Sequence, residues 1–314
     1  MKPHNNVKGC LILSFASMIW GFAFVVQSAL ADTVPPFLLN CLRSLIAVVF
    51  LAAVMLIRKQ RTKSSVLPKA PADRKKVLFV GLLCGFFLTL SVNLQQFGLM
   101  YYPQGVAAEA RGGFLTSLYV IMVPILAVFL GKKLSPGVVI AVGVALGGIY
   151  LLCLSESIHG LYLGDVFILL CALSFSVHIL LIDRLATSMD GILLSAMQFL
   201  VCGALSGVLS VGFETVAWEH LPSAILPLIY MGVVSSGIGY TLQIVGQKYA
   251  EPVVASISMS LESVFAALGG WLILRNTLSV REFFGCALVF LAIVLAQLPV
   301  FGRRRKKIEK IEKR

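Results

Sequence analysis

Apolar residues run in blocks of about 20 along almost the whole chain, and polar residues collect in short breaks between the blocks. Within a block the apolar positions are continuous, not alternating, which fits helices buried on every side. A bilayer core about 30 Å thick takes about 20 helical residues to cross. Only helices and closed barrels satisfy their own backbone hydrogen bonds there. Ten spans are predicted, at about 9–30, 36–57, 77–99, 104–130, 134–153, 161–182, 191–213, 223–246, 252–274 and 279–299. The fold class is an all-α polytopic membrane protein with ten transmembrane helices.

Composition removes other classes. Of 314 residues, 59% are hydrophobic and 13% charged, and no polar stretch is long enough to fold alone. A net charge of +12 in a soluble chain would suggest nucleic acid. Here the distribution excludes it. Alternating the loops across the membrane puts 22 of the 26 Lys and Arg on the side of both termini. The other side carries only Arg275 and Arg281, while Arg43 and Arg111 fall inside spans. Cytoplasmic loops carry such an excess, so a cell-membrane location with both termini cytoplasmic is expected. The tail from residue 300 to 314, strongly basic, is expected to lie along anionic lipid headgroups.

The seven cysteines show no C-x-x-C pair and no His at ligand spacing, so neither a metal nor a disulfide framework is expected. No P-loop or Gly-rich nucleotide motif is present, so no cofactor is expected and the driving force is a gradient. Lys8, the first apolar run and Ala29-Leu30-Ala31 imitate a cleavable signal peptide. That run is nearly twice the usual length, and cutting it would leave nine spans, so it is read as a retained helix.

The chain repeats itself. Leu94-Gln95, Gly98, Tyr101 and Val106-Ala107 return as Leu242-Gln243, Gly246, Tyr249 and Val254-Ala255, always 148 residues on. Leu134-Ser135 returns as Leu278-Ser279 at 144. Two units follow, at 9–153 and 161–299. Each holds five spans, and because five is odd the second enters the membrane inverted. Inverted repeats suit alternating access, in which a central site opens to one side and then the other. Gly81 with Gly85, Gly143 with Gly147 and Gly203 with Gly207 place small residues one turn apart, where helices approach closely.

Several segments resemble the EamA family of the drug/metabolite transporter superfamily. Ile19-Trp20-Gly21-Phe22-Ala23-Phe24 looks like its opening W-G-x-x-F signature, and Arg43 stands where the family often has Arg. Gly112 to Tyr119, followed by Val123-Pro124, looks like its fourth-span motif, and Leu261-Glu262-Ser263-Val264-Phe265 like the ninth-span one. The resemblance implies two inverted five-helix EamA repeats and carriage of small metabolites, often outward; separately, the permease is expected to work as a monomer. Arg275-Asn276-Thr277 and Lys132-Lys133 depart from the acidic or Arg residues frequent at those membrane edges, which cautions against carrying over a substrate.

Ionisable groups at membrane depth are costly and read as functional candidates. Arg43 and Arg111 lie about seven residues inside their spans, roughly 10 Å deep. Glu109 and Arg111 point about 200° apart on a helix, so Glu109 is expected to pair elsewhere, with Arg43 a candidate. That leaves Arg111 to bind an anionic group, or to sit in a buried ion pair or snorkel outward. Glu262, near the middle of the ninth span, is the candidate for proton coupling, with an architectural hydrogen bond as the alternative; His178 is a second candidate. Gln95 and Gln243, related by the repeat, are expected towards opposite faces, lining two vestibules or tying helices. Gln96, Trp20 and Tyr119 complete the candidate substrate-binding set, Trp271 is a further candidate wall, and Pro124 a candidate hinge. The leading reading is a secondary carrier, an exporter, of amino acids or related carboxylates. The alternatives are a membrane-embedded enzyme or a facilitative channel.

Overall fold

The computed structural model describes residues 6–31, 33–63, 68, 70–103, 108–153, 162–216, 218–274 and 280–297. The basic tail, Arg275 to Ser279 and Val106-Ala107 lie outside the described residues. The described chain is helical: α1 (Asn6–Leu30), α2 (Pro36–Thr62), α3 (Pro71–Met100), α4 (Ala108–Ser117), α5 (Tyr119–Phe129), α6 (Pro136–Cys153), α7 (Leu163–Leu185), α8 (Gly191–Phe213), α9 (Leu221–Ile229), a π segment (Tyr230–Gly239), α10 (Tyr240–Gln247), α11 (Pro252–Met259), α12 (Leu261–Leu274) and α13 (Val280–Gln297). Taken as continuous segments, eight of these are long and apolar enough to cross a membrane, and α6 and α13 supply shorter apolar stretches. Side chains such as Val211, Phe129 and Phe213 stand 90%, 83% and 80% exposed, as a surface solvated by lipid allows.

The packing is two-fold. α1 lies on α12 and on the π segment with α10; α7, its counterpart, lies on α4 with α5 and on α3. α2 pairs with α8 and α6 with α13, each a span against its own counterpart. The fourth span is α4 with α5, and the ninth is α11 with α12. First half meets second half in both directions, α4 on α12 and α5 on α11. Counterparts that cross antiparallel under such an exchange belong to inverted repeats.

The helix breaks sit at that crossing. The ninth span is interrupted at Ser260, where the hydroxyls of Ser256, Ser258 and Ser260 turn back onto the carbonyls of Val253, Val254 and Ile257. Such back-bonding bends helices. The fourth span breaks at Leu118 and not at Pro124, which lies inside α5. The cause lies across the interface: the Ser263 hydroxyl donates to the Gly113 carbonyl at 3.1 Å and touches the Ser117 hydroxyl.

Close approach uses glycine unevenly. A Cβ on Gly85 would stand 2.6 Å from the Val201 Cβ, and one on Gly207 3.1 Å from the Cys41 sulfur. Gly143 and Gly147 meet nothing within 4 Å; their neighbour Gly148 makes the α6–α13 contact instead, against the Gly285 carbonyl at 2.8 Å. Spacing alone does not fix which face of α6 turns inward. Cys10, Cys41, Cys84, Cys171, Cys202 and Cys286 carry free thiols.

Carboxylates tie α2 to α8 at both ends. Pro35 and Pro36 start α2 without a side-chain cap of their own. Glu214, just past α8, supplies it, accepting from Phe37 N at 2.7 Å and Leu38 N at 2.9 Å. At the other end Asp190 caps α8 through Ile192 N and Leu193 N and pairs with Arg58 at 2.5 Å. Burial pushes the Asp190 carboxyl up, but Arg58 and the two backbone donors outweigh it and hold the group below its ordinary value. It is therefore ionised at neutral pH.

Candidate functional site

A cavity lies where the repeats meet. α1 contributes Trp20, Ala23, Phe24 and Gln27; α2 and α3 contribute Arg43 and Gln95; α4 and α5 contribute Thr116 and Tyr119. The second repeat adds Phe175, Ile179, Ser235, Tyr240, Gln243, Met259 and Glu262. Counterparts share it. Leu30, Leu38 and Leu39 return 155 residues on as Leu185, Leu193 and Leu194, and the same step takes Trp20 to Phe175 and Phe24 to Ile179. With Gln95 and Gln243, three repeat-related pairs line one chamber. The two glutamines thus face the same space, not two vestibules, because antiparallel counterparts converge on the two-fold axis.

Its charged groups break the symmetry. Arg43 is 3% exposed; its Nη1 donates to Gln27 Oε1 at 3.4 Å, a long bond, and its Nε has no hydrogen-bond partner. The same 155-residue step takes Arg43 to Gln198, which lies outside the cavity and bonds Nε2 of His178 at 3.1 Å. Glu262 is 5% exposed and lies against the Tyr119 hydroxyl, and Gln243 Oε1 is unpartnered. Arg43 and Glu262 do not pair with each other. Buried polar atoms are nearly always satisfied. Two unpartnered ones, Arg43 Nε and Gln243 Oε1, beside the Glu262 carboxyl fit a polar solute with both donors and acceptors.

The π segment shapes one wall. Gly232 lets it approach α2, since a Cβ there would meet the Arg43 carbonyl at 3.0 Å. Trp20 Nε1 donates to the Ser235 carbonyl at 3.2 Å and the Tyr230 hydroxyl donates to the Ile19 carbonyl at 2.8 Å, so α1 and this segment are cross-tied. Tyr240 follows, its ring 4.9 Å from that of Trp20. π-helical stretches often mark functional sites. The equivalent stretch of α3 is α-helical.

Other candidates lie elsewhere. Arg111 grips Asp165 through two bonds of 2.6 Å, Nε to Oδ1 and Nη2 to Oδ2. Asp165 also accepts from the Tyr102 hydroxyl and Tyr162 N, both at 2.9 Å. This is the ion-pair alternative for Arg111. Glu109 is buried in the first turn of α4, away from the cavity wall, and the partner of Arg43 is Gln27. Gln96 donates to the Gln27 carbonyl at 3.3 Å behind the wall, and Trp271, 48% exposed, faces outward. Asp165 gives little sequence signal, since an acid in a first helical turn reads as an ordinary dipole partner. Phe24, Phe175 and Ile179 were findable from the repeat; Ser235 and Met259 were not. Among the described residues no cluster of metal-ligating side chains occurs.

Asp165→Asn is expected to cost about 2–3 kcal/mol, read as a lower melting midpoint of the purified protein. Breaking a buried pair costs about 3–5 kcal/mol, and the Arg111 side chain, 14% exposed, recovers part from solvent.

Residues 7–154 and again 162–298 match the EamA-like transporter family. An uncharacterized transporter of Archaeoglobus fulgidus is 28% identical over 289 residues, covering 92% of this chain and 85% of that protein. The uncharacterized transporter YoaV of Bacillus subtilis is 23% identical over 304 residues, covering 95% and 99%. A solved crystal structure aligns with a TM-score of 0.72 at 20% identity, over 94% of this chain and 98% of the other, a likeness of fold. With the family matched in both halves and a multi-pass helical fold enclosing a central polar cavity, the chain belongs to the EamA-like transporter family and is a membrane transporter.

Proposed function

We propose that the protein is a secondary carrier of the cell membrane, both termini cytoplasmic, that exports amino acids or related carboxylates by alternating access. The observation that carries this reading is Arg43, a buried guanidinium with an unpartnered Nε, in the same chamber as the Glu262 carboxyl. Arg presents a planar fork that fits a carboxylate. Trp20, Phe175 and Tyr240 give the solute an apolar wall. Glu262 takes the proton-coupling role, as the carboxyl group in the chamber wall that can give and take a proton. The chamber is built within one chain, which supports a working monomer. Outward direction rests on the family resemblance.

The test is counterflow in proteoliposomes across amino acids and organic acids. A carrier accelerates uptake of labelled solute against unlabelled solute inside and saturates; a channel equilibrates without acceleration, and an enzyme converts the solute. Glu262→Gln is expected to flatten the pH dependence of net transport while exchange persists. An unaltered pH profile removes the coupling role.

A further inference from the structure

A shallow open groove runs along the C-terminal end of α2, lined by Val54, Ile57, Arg58, Arg61 and Thr62. The exposed surface of α2 is apolar up to this level, with Val49 70%, Leu56 60% and Ile57 52% exposed; of these Ile57 stands on the side of the groove. Arg58, Lys59 and Arg61 follow at once, and the helix ends at Lys63, whose φ of 50° is left-handed. One turn of helix, about 5 Å, therefore separates hydrocarbon-compatible surface from cationic surface. The boundary between acyl chains and headgroups makes the same change over the same distance.

We propose that this groove binds an anionic phospholipid, its phosphate held by Arg58 and Arg61 and an acyl chain lying along Val54 and Ile57. Guanidinium forks suit phosphate oxygens, and the three cations more than offset the partial negative charge at a helix C-terminus. Free phosphate offers the same anionic chemistry but nothing for the apolar half of the groove. Arg58 also serves the tie between repeats: its Nη1 donates to Asp190 Oδ2 at 2.5 Å while the side chain stays 41% exposed. Lipid and Asp190 thus draw on one guanidinium. Bound lipid weakens the tie between α2 and α8, and the tie weakens lipid binding.

Native mass spectrometry tests this on the full chain released from nanodiscs of phosphatidylglycerol and phosphatidylcholine in equal parts. Phosphatidylglycerol is expected to be retained in preference. Arg61→Gln should lower that retention about fivefold, the worth of one juxtamembrane cation. Arg61 is exposed and outside the ion pairs described, so the variant should keep the wild-type melting midpoint. Asp190→Asn keeps a capping side chain but frees Arg58 from its ionic partner, and retention should rise. Excess inorganic phosphate should leave the lipid in place. Equal retention by Arg61→Gln and wild type overturns the site, as does displacement by inorganic phosphate; no rise in Asp190→Asn overturns the shared use of Arg58.

Discussion

Arg43→Gln is expected to lower exchange of carboxylate solutes on the order of 100-fold while the protein still folds. A charge-assisted contact is worth about 1.5–3 kcal/mol, and the upper end applies to a guanidinium only 3% exposed. The fold should tolerate the change, because the other repeat carries Gln198 at the equivalent place. A glutamine at 43 also leaves Gln27 an amide to bond. Arg43→Lys should recover little, since a point charge lacks the fork. Initial exchange rates in proteoliposomes, with a melting midpoint on the same sample, provide the measurement. An equal loss for neutral and anionic solutes would show that Arg43 holds the wall together and does not recognise the carboxylate.

Gly21→Val is expected to prevent assembly of α1 on the ninth span, a cost above about 4 kcal/mol. The Cβ alone would stand 2.3 Å from the Phe265 Cβ and 2.7 Å from Ala266 N, and backbone cannot move aside as a flexible side chain can. α1 also carries four cavity residues, so separation of these helices dismantles the chamber. Gly143→Val is the control: nothing lies within 4 Å of that position, and near-wild-type stability is expected. The yield of monodisperse protein and its melting midpoint decide between them. A wild-type midpoint for Gly21→Val would mean that α1 and α12 do not approach as described.

Hydropathy made the spans legible because lipid demands an unbroken apolar surface, and the repeat made the symmetry legible because both copies keep matching residues. Within spans, sequence said less. Arg43, Gln95, Gln243, Trp20, Tyr119 and Glu262 do converge, but no periodicity specifies that two glutamines 148 residues apart face one chamber. Arg111 and Arg43 look alike by depth; only the position of Asp165 on a neighbouring helix separates a paired arginine from one in the cavity wall. The break at Leu118 was hidden for the same reason, since its cause is a serine hydroxyl donated from the ninth span. Pro124 carries the stronger local signal and lies within continuous helix.

The cap that Glu214 places on α2 bears on how such a chain came to be one molecule. The first half alone would present the amides of Phe37 and Leu38 and the Arg58 guanidinium without the carboxylates that receive them. The second half finishes this helix of the first, whereas its own α8 is capped by its own Asp190, so at these helix ends the dependence runs from the first half to the second. Joining the two halves in one chain keeps the Glu214 carboxylate always within reach of α2.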